Sequence, residues 1–247
     1  MNRVGLTVAG LDPSGGAGIL LDQRVFSHFG VFAAGVITAN TVQNSCGARH
    51  WKPVDEKLFT DQLRALKEDL PVGVIKVGML ARARFLEVLL DAFGEVPAVV
   101  DPVLASKNGL PLVDEPAVYL RLAPRIFLFT PNWDEARRLT GLGGSPTEVL
   151  QKLKEFGFKN VLLKGGHMEG DRVRDYLLLE SGELLVFSKP RVAKSPRGTG
   201  CALSSAIAAL FLKTGDLKEA ALRAEEFLKG ALERAERLGR CHEFLTF

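Results

Sequence analysis

Short runs of branched apolar residues alternate with longer segments of helical periodicity, and this alternation limits the possible folds more than any other feature. Residues 4–9, 32–38, 72–77, 98–103, 126–130 and 161–164 read as strands. Residues 16–29, 58–70, 81–93 and 147–156 read as helices, and a further helix follows Pro131. Repeated strand–helix units build a mostly parallel sheet with helices on both faces. The expected class is therefore α/β. No low-complexity linker or internal repeat interrupts the pattern, so one domain is expected over residues 1–247.

The rhythm changes late in the chain. Residues 173–179 and 183–187 flank Ser181-Gly182 and predict a β-hairpin. Two helices follow, the first over residues 202–212. In the second, Leu217, Ala220, Ala221, Ala224, Phe227, Leu228, Ala231, Leu232 and Ala235 fall on one face, which marks a helix packed on a core. Ligands in open parallel sheets bind beyond the carboxyl ends of the strands. The polar clusters of this chain follow predicted strand ends.

Bulk composition narrows the partners. Net charge is +3 with the basic residues scattered, which argues against nucleic acid. No apolar run approaches the ~18 residues of a membrane helix, so no membrane partner is expected. Cys46, Cys201 and Cys241 are widely spaced and odd in number, which disfavours a disulfide framework or a zinc site. No cleaved leader is visible at the start. The expectation is a reduced, cytoplasmic protein.

Two glycine-rich turns carry the chemistry. Gly10-Leu11-Asp12-Pro13-Ser14-Gly15-Gly16-Ala17-Gly18 joins a strand to a helix. Gly10 and Gly15 have Walker A spacing, but Gly16 and Ala17 replace its Lys and Ser/Thr, and GxGxxG is absent. The segment is neither a P-loop nor a dinucleotide fingerprint, yet its glycines allow close backbone approach to a ligand. Asp22, in the next helix, can accept a hydrogen bond from a ligand or stay solvated. The second turn, Gly198-Thr199-Gly200-Cys201, opens a helix of small apolar residues. Exposed N–H groups and the dipole make that terminus an anion site suited to phosphoryl transfer. A thiol in the first turn can have its pKa lowered below about 8.5 and act as a base. A buried, inert cysteine is the alternative.

Taken in order, these segments resemble the hydroxymethylpyrimidine and hydroxymethylpyrimidine-phosphate kinases of thiamine biosynthesis, within the ribokinase-like superfamily. The resemblance runs through Gly10-Leu11-Asp12-Pro13-Ser14-Gly15-Gly16, Gln43-Asn44, Lys76-Val77-Gly78-Met79, Asp101-Pro102-Val103, Thr130-Pro131-Asn132 with Glu135, Lys164-Gly165-Gly166-His167 and Gly198-Thr199-Gly200-Cys201. It implies a three-layer αβα sandwich, a homodimer, ATP, Mg²⁺ and two successive phosphorylations. It assigns Cys201 with Gly198, Thr199 and Gly200 to catalysis, and Gly10, Asp22, Gln43 and Met79 to the pyrimidine. Lys164, Asn132 and Lys107 fall to the nucleotide, and Glu135 and Asp101 to the metal. Four features depart from the family pattern. Leu11 replaces a common Ser/Thr, and Arg197 replaces the His that usually precedes the turn. Trp133-Asp134 is unusual within the NxxE element, and residues 239–243 lack the usual C-terminal signature. A pyridoxal kinase and a non-catalytic ligand-binding protein on the same fold are the alternatives.

Overall fold

The computed structural model describes residues 3–166, 168 and 170–247; His167 lies outside the described residues. The strands are β1 (Val4–Leu11), β2 (Ala33–Asn44), β3 (Gly47–Pro53), β4 (Val72–Val77), β5 (Ala98–Val100), β6 (Leu128–Phe129), β7 (Asn160–Leu163), β8 (Arg172–Leu178) and β9 (Leu184–Pro190). The helices are α1 (Gly18–His28), α2 (Glu56–Asp69), α3 (Ala83–Ala92), α4 (Val118–Arg121), α5 (Trp133–Thr140), α6 (Pro146–Glu155), α7 (Thr199–Thr214) and α8 (Leu217–Glu233). Among these residues one sheet runs in the order β3-β2-β1-β4-β5-β6-β7-β8-β9. The stretch from β2 to β7 in that order is parallel. β3, β8 and β9 pair antiparallel at the two margins.

The central strands are buried on both faces, so their sequences are nearly continuous apolar runs. In β1 residues 5–10 are all buried, and in β4 residues 73–77 are. One face packs against α2, α3, α5 and α6, where Phe59 stacks on Phe85 at 4.3 Å between ring centroids. The other face packs against α1, α7 and α8. Each fully buried Leu, Ile, Val or Phe in these layers contributes roughly 1.5–3 kcal/mol against exposure. α7 is apolar all round because it lies between sheet and α8, with residues 202–210 all buried.

Local signals set the helix ends. Asp55 caps α2 through Leu58 N at 3.0 Å. Asn132 with Glu135, and Ser145 with Glu148, form capping boxes at α5 and α6.

Three expectations require correction. β2 continues to Asn44 and turns back as β3, whereas the sequence reading ends the strand at residue 38. Beyond Ala39 its side chains alternate between exposed and half-buried with no core to face, so the apolar pattern fades although the ladder continues. The four-residue α4 is too short for its periodicity to show. Finally, Cys46 and Cys241 form a disulfide across 195 residues, against the expectation of a reduced protein without disulfides. Their separation hid the pairing, because only the tertiary fold brings the tail beside the β2–β3 turn.

Candidate active site

Side chains alternate across a strand, and that parity assembles the site. In β4, Ile75 and Val77 face the α2–α3 layer and Val74 faces α7, so Lys76 also faces α7. In β5, Val99 faces α7, so Asp101 beyond its carboxyl end does so too. Leu162 of β7 places Lys164 on the same side. Charged groups from β4, β5 and β7 therefore converge beneath the first turn of α7, at the carboxyl edge of the sheet.

The deepest of these forms a closed network. Lys76 and Asp22 have no exposed side-chain surface and pair at 2.8 Å. Asp22 also accepts from Thr7 Oγ1 at 2.7 Å and Ser205 Oγ at 2.9 Å. Burial lowers the Lys76 pKa, but the charges of Asp22, Cys201 and Asp101 outweigh it and the net shift is upward. Asp22 thus spends its acceptor capacity inside the protein. It faces the core between α1, β4 and α7, and the expected direct contact with a ligand is absent from this geometry because its oxygens are already saturated. Lys76 within an otherwise apolar strand was the visible sequence signal for this network, and the sequence reading gave it no role.

The two glycine turns touch backbone to backbone. Gly198 caps α7 with φ +74°, and a Cβ there would sit 2.2 Å from Gly16 O. At Gly200 a Cβ would lie 3.1 Å from Lys164 Nζ and 3.4 Å from Asp101 Oδ2. The helix terminus therefore lies directly over the Asp101–Lys164 pair, whose Nζ–O distance is 2.6 Å. Cys201 is half-buried and not disulfide-bonded. Its thiol is pushed up to about 11 by burial; Lys76 and a hydrogen bond from Gly18 N–H lower it, while Asp101 and Asp22 raise it further. The expectation of a lowered thiol pKa is overturned, because desolvation and two carboxylates outweigh Lys76 and the Gly18 hydrogen bond.

Glu135 is buried, and its carboxylate accepts from Asn132 N at 2.8 Å while Asn132 Oδ1 accepts from Glu135 N at 2.9 Å. Its pKa rises to about 7, chiefly through burial and also through Asp101, against the pull of Lys164. Lys164 is itself raised, since Asp101 and Glu135 offset its burial. One ammonium thus serves two carboxylates, and negative charge is in surplus once pH exceeds about 7 and Glu135 ionises. Among the described residues no cluster of three His, Cys, Asp or Glu could hold a metal alone. The pair nevertheless fits a hard, largely hydrated cation such as Mg²⁺, which takes one or two carboxylates and completes its shell with water and phosphate.

A cavity of about 640 Å³ opens above these groups, lined by Gln43, Asp101, Glu135, Lys164, Arg197 and Cys201 among others. Gln43 Nε2 donates to Asp12 Oδ2 at 3.0 Å. Lys107 spans the mouth, donating to Ser195 O at 3.0 Å and Pro196 O at 3.3 Å. Burial lowers its pKa and the charge of Arg197 lowers it further. Gly10 and Met79 lie below the lining. A Cβ on Gly10 would meet Met79 Sδ at 2.7 Å, and Met79 packs with Ala39, Ala81 and Leu112. Asp12 and His242 were missed as site residues. Asp12 was visible within the first glycine turn, whereas His242 reaches the cavity only because the tail folds back.

A second cavity of about 310 Å³ shares Lys107, Asn132, Lys164, Thr199 and Gly200 with the first. Its far wall combines apolar Val173, Val192, Leu203, Leu228 and Leu232 with charged Asp175, Lys189, Arg191 and Lys194. The site is therefore a larger polar chamber and a smaller slot of mixed lining, meeting at one helix N-terminus.

Known proteins are similar to this chain in sequence and in fold. Residues 12–246 match the family described as phosphomethylpyrimidine kinase. A hydroxymethylpyrimidine/phosphomethylpyrimidine kinase of Aquifex aeolicus is 37% identical over 99% of this chain and 100% of its own length. The crystal structure of a Clostridium difficile phosphomethylpyrimidine kinase superimposes with TM-score 0.79 at 30% identity, over 93% of this chain and 99% of that one. An ADP complex of Bacillus subtilis pyridoxal kinase gives TM-score 0.88 at 26% identity, over 100% of this chain and 97% of that one.

Proposed function

The chain belongs to the phosphomethylpyrimidine kinase family, and from that premise we propose that it phosphorylates 4-amino-5-hydroxymethyl-2-methylpyrimidine twice. The first transfer moves the γ-phosphoryl group of ATP to the hydroxymethyl oxygen, releasing ADP and a proton. The second moves another γ-phosphoryl group to an oxygen of the resulting monophosphate, giving the diphosphate used in thiamine biosynthesis. The observation that carries this reading is the Gly198–Cys201 terminus set over Asp101 and Lys164 where the two cavities meet. A nucleotide suits the slot, whose aliphatic side chains can pack on a base, and the pyrimidine suits the polar chamber, so the transferred group passes beneath the α7 N–H groups.

Each residue then has a role at a stated atom. The Gly198, Thr199 and Gly200 amides stabilise charge on the transferring phosphoryl group. Lys164 Nζ and Lys107 Nζ hold nucleotide phosphates, and Asn132 orients Glu135 through the capping box. Asp101 and Glu135 would hold Mg²⁺, whose charge, when bound, neutralises the phosphates. Gln43 presents an amide to the aminopyrimidine edge, and Gly10 with Met79 shapes the floor beneath the ring. Cys201 Sγ, through its small ionised fraction, receives the alcohol proton. Asp22 acts from behind by holding Lys76. The protein works as a homodimer in the cytoplasm under this reading; no helix among the described residues is long and apolar enough to cross a membrane.

The resemblance to the pyridoxal kinase structure supports a second reading, with pyridoxal as the alcohol. A substrate panel decides between them. Purified protein with ATP and Mg²⁺ is expected to convert the hydroxymethylpyrimidine to mono- and diphosphate, separated by anion exchange. Pyridoxal turnover at much higher kcat/KM would sink the pyrimidine assignment.

A further inference from the structure

Arg197 is buried, with its side chain 9% exposed, yet it is only partly partnered. Nη2 lies 3.5 Å from Asp12 Oδ2, while Nη1 has no hydrogen-bond partner among the described residues. A buried guanidinium nitrogen without an acceptor is costly. The residue also lines the polar chamber, one position before the Gly198 cap. Its position is fixed from two sides. The backbone N donates to Glu243 O at 3.0 Å, and Asp12 is itself anchored by Ser14 N at 2.9 Å, Ser14 Oγ at 2.7 Å and Gln43 Nε2 at 3.0 Å. Lys107 stands nearby with only backbone and hydroxyl oxygens as partners. Two cations thus adjoin one wall of the chamber with a single carboxylate, Asp12, bonded to either of them.

Such a spot is built for an anion held by the substrate, and the two substrates of the proposed reaction differ there. The alcohol is neutral, whereas a phosphate monoester carries nearly two negative charges at neutral pH. We propose that Arg197 is a specificity-determining residue that receives the phosphate of the pyrimidine monophosphate through Nη1 and so favours the second phosphorylation. The inference rests on the pyrimidine-kinase reading above. Arg suits the task because it stays charged and its planar fork can hold Asp12 and a phosphate oxygen together. A charge-assisted hydrogen bond of this kind is worth ~1.5–3 kcal/mol, or on the order of 10- to 100-fold.

The test compares wild type with R197Q, R197M and R197K, using the alcohol and the monophosphate as separate substrates. In R197Q and R197M the ratio of kcat/KM for monophosphate over alcohol is expected to fall by on the order of 10- to 100-fold, mostly through KM for the monophosphate. R197K is expected to recover part of it. Equal proportional losses on both substrates, or a raised KM for ATP alone, would assign Arg197 to folding or to the nucleotide and overturn the proposal. Calorimetric binding of the monophosphate, with a non-hydrolysable ATP analogue present, separates this idea from the kinase reading. Wild type that binds the monophosphate tightly and R197M that does not, with no turnover of either substrate, would keep Arg197's role and remove the activity. Equal binding by wild type and a folded R197M would overturn the role even if the kinase activity is found.

Discussion

At the scale of single residues, Cys201 and Gly200 can be separated by chemistry. A thiol near 11 is almost wholly protonated at neutral pH, so it can take a proton only through its small ionised fraction, which grows as pH rises. The alcohol has such a proton, whereas the monophosphate attacks through an oxygen that is already charged. Cys201→Ala is therefore expected to lower kcat for the alcohol by on the order of 10²-fold near pH 9, with a smaller loss near pH 7, and to affect the monophosphate step much less. Equal losses in single-turnover assays of the two steps would show that the cysteine only fills space. Gly200→Ala tests the anion site. Its new methyl would lie 3.1 Å from Lys164 Nζ and displace that ammonium by a few tenths of an ångström beside Asp101. Ala is also a better helix former than Gly. The expected signature is a kcat loss of ~10²-fold or more on both steps, with Tm unchanged or raised. A fall in Tm that tracks the fall in kcat would count against a local role.

At the scale of elements, the β8–β9 hairpin is tied to α8 by a buried charge cluster. Lys189 of β9 donates to Asp175 of β8 at 2.9 Å and makes a short contact with Glu225 of α8. Two carboxylates share one ammonium, and Glu225 Oε1 has no partner among the described residues. The Glu225 pKa rises to about 7, first through burial and then through Asp175, with Lys189 opposing. A raised acid binds its proton more tightly in the folded state than in the unfolded one. Its contribution to stability is thus complete below about 4.5 and is lost as pH climbs through about 7. Glu225→Gln keeps the acceptor for Lys189, adds a donor for Asp175 and removes this loss. Its Tm is expected to exceed that of wild type at pH 8, with the gap closing near pH 5; a constant gap across that range would refute the linkage. The hairpin and the amphipathic α8 were legible because turn residues and 3–4 spacing are local. The cluster joining them was not, since Asp175, Lys189 and Glu225 look like ordinary surface charges until the fold buries them. The same reason explains Asp22, which sequence placed at the ligand and the fold placed against Lys76. Cys201 misled differently: its place at a helix terminus was read correctly, but the desolvation that sets its pKa is a property of packing.

At the scale of the whole molecule, the chain closes on itself across the substrate chamber. The Cys46–Cys241 disulfide pins the tail to the β2–β3 turn. Nearby, Arg197 N donates to Glu243 O at 3.0 Å, Arg24 Nη2 donates to Leu245 O at 3.2 Å, and Phe244 lies against Gly16 at the first glycine turn. His242 of the same tail lines the chamber, so the covalent tie and the substrate wall are one structure. Closing a loop of 195 residues removes much freedom from the unfolded chain. The stabilisation expected is ~2–4 kcal/mol, which corresponds to a Tm loss of about 5–10 °C on reduction. Cys46→Ser should show the same loss without reductant and should raise KM for the pyrimidine more than it lowers kcat, because a freed tail loosens the wall and leaves the Asp101–Lys164 pair in place. Alkylation under denaturing, non-reducing conditions should label one thiol, Cys201, and reduction should expose all three cysteines. Three labels before reduction, together with a Tm indifferent to reductant, would show that the tail is held by its hydrogen bonds and by Phe244 alone. The wall's rigidity would then have to come from packing at the first glycine turn, and Phe244→Ala would become the variant that loosens it.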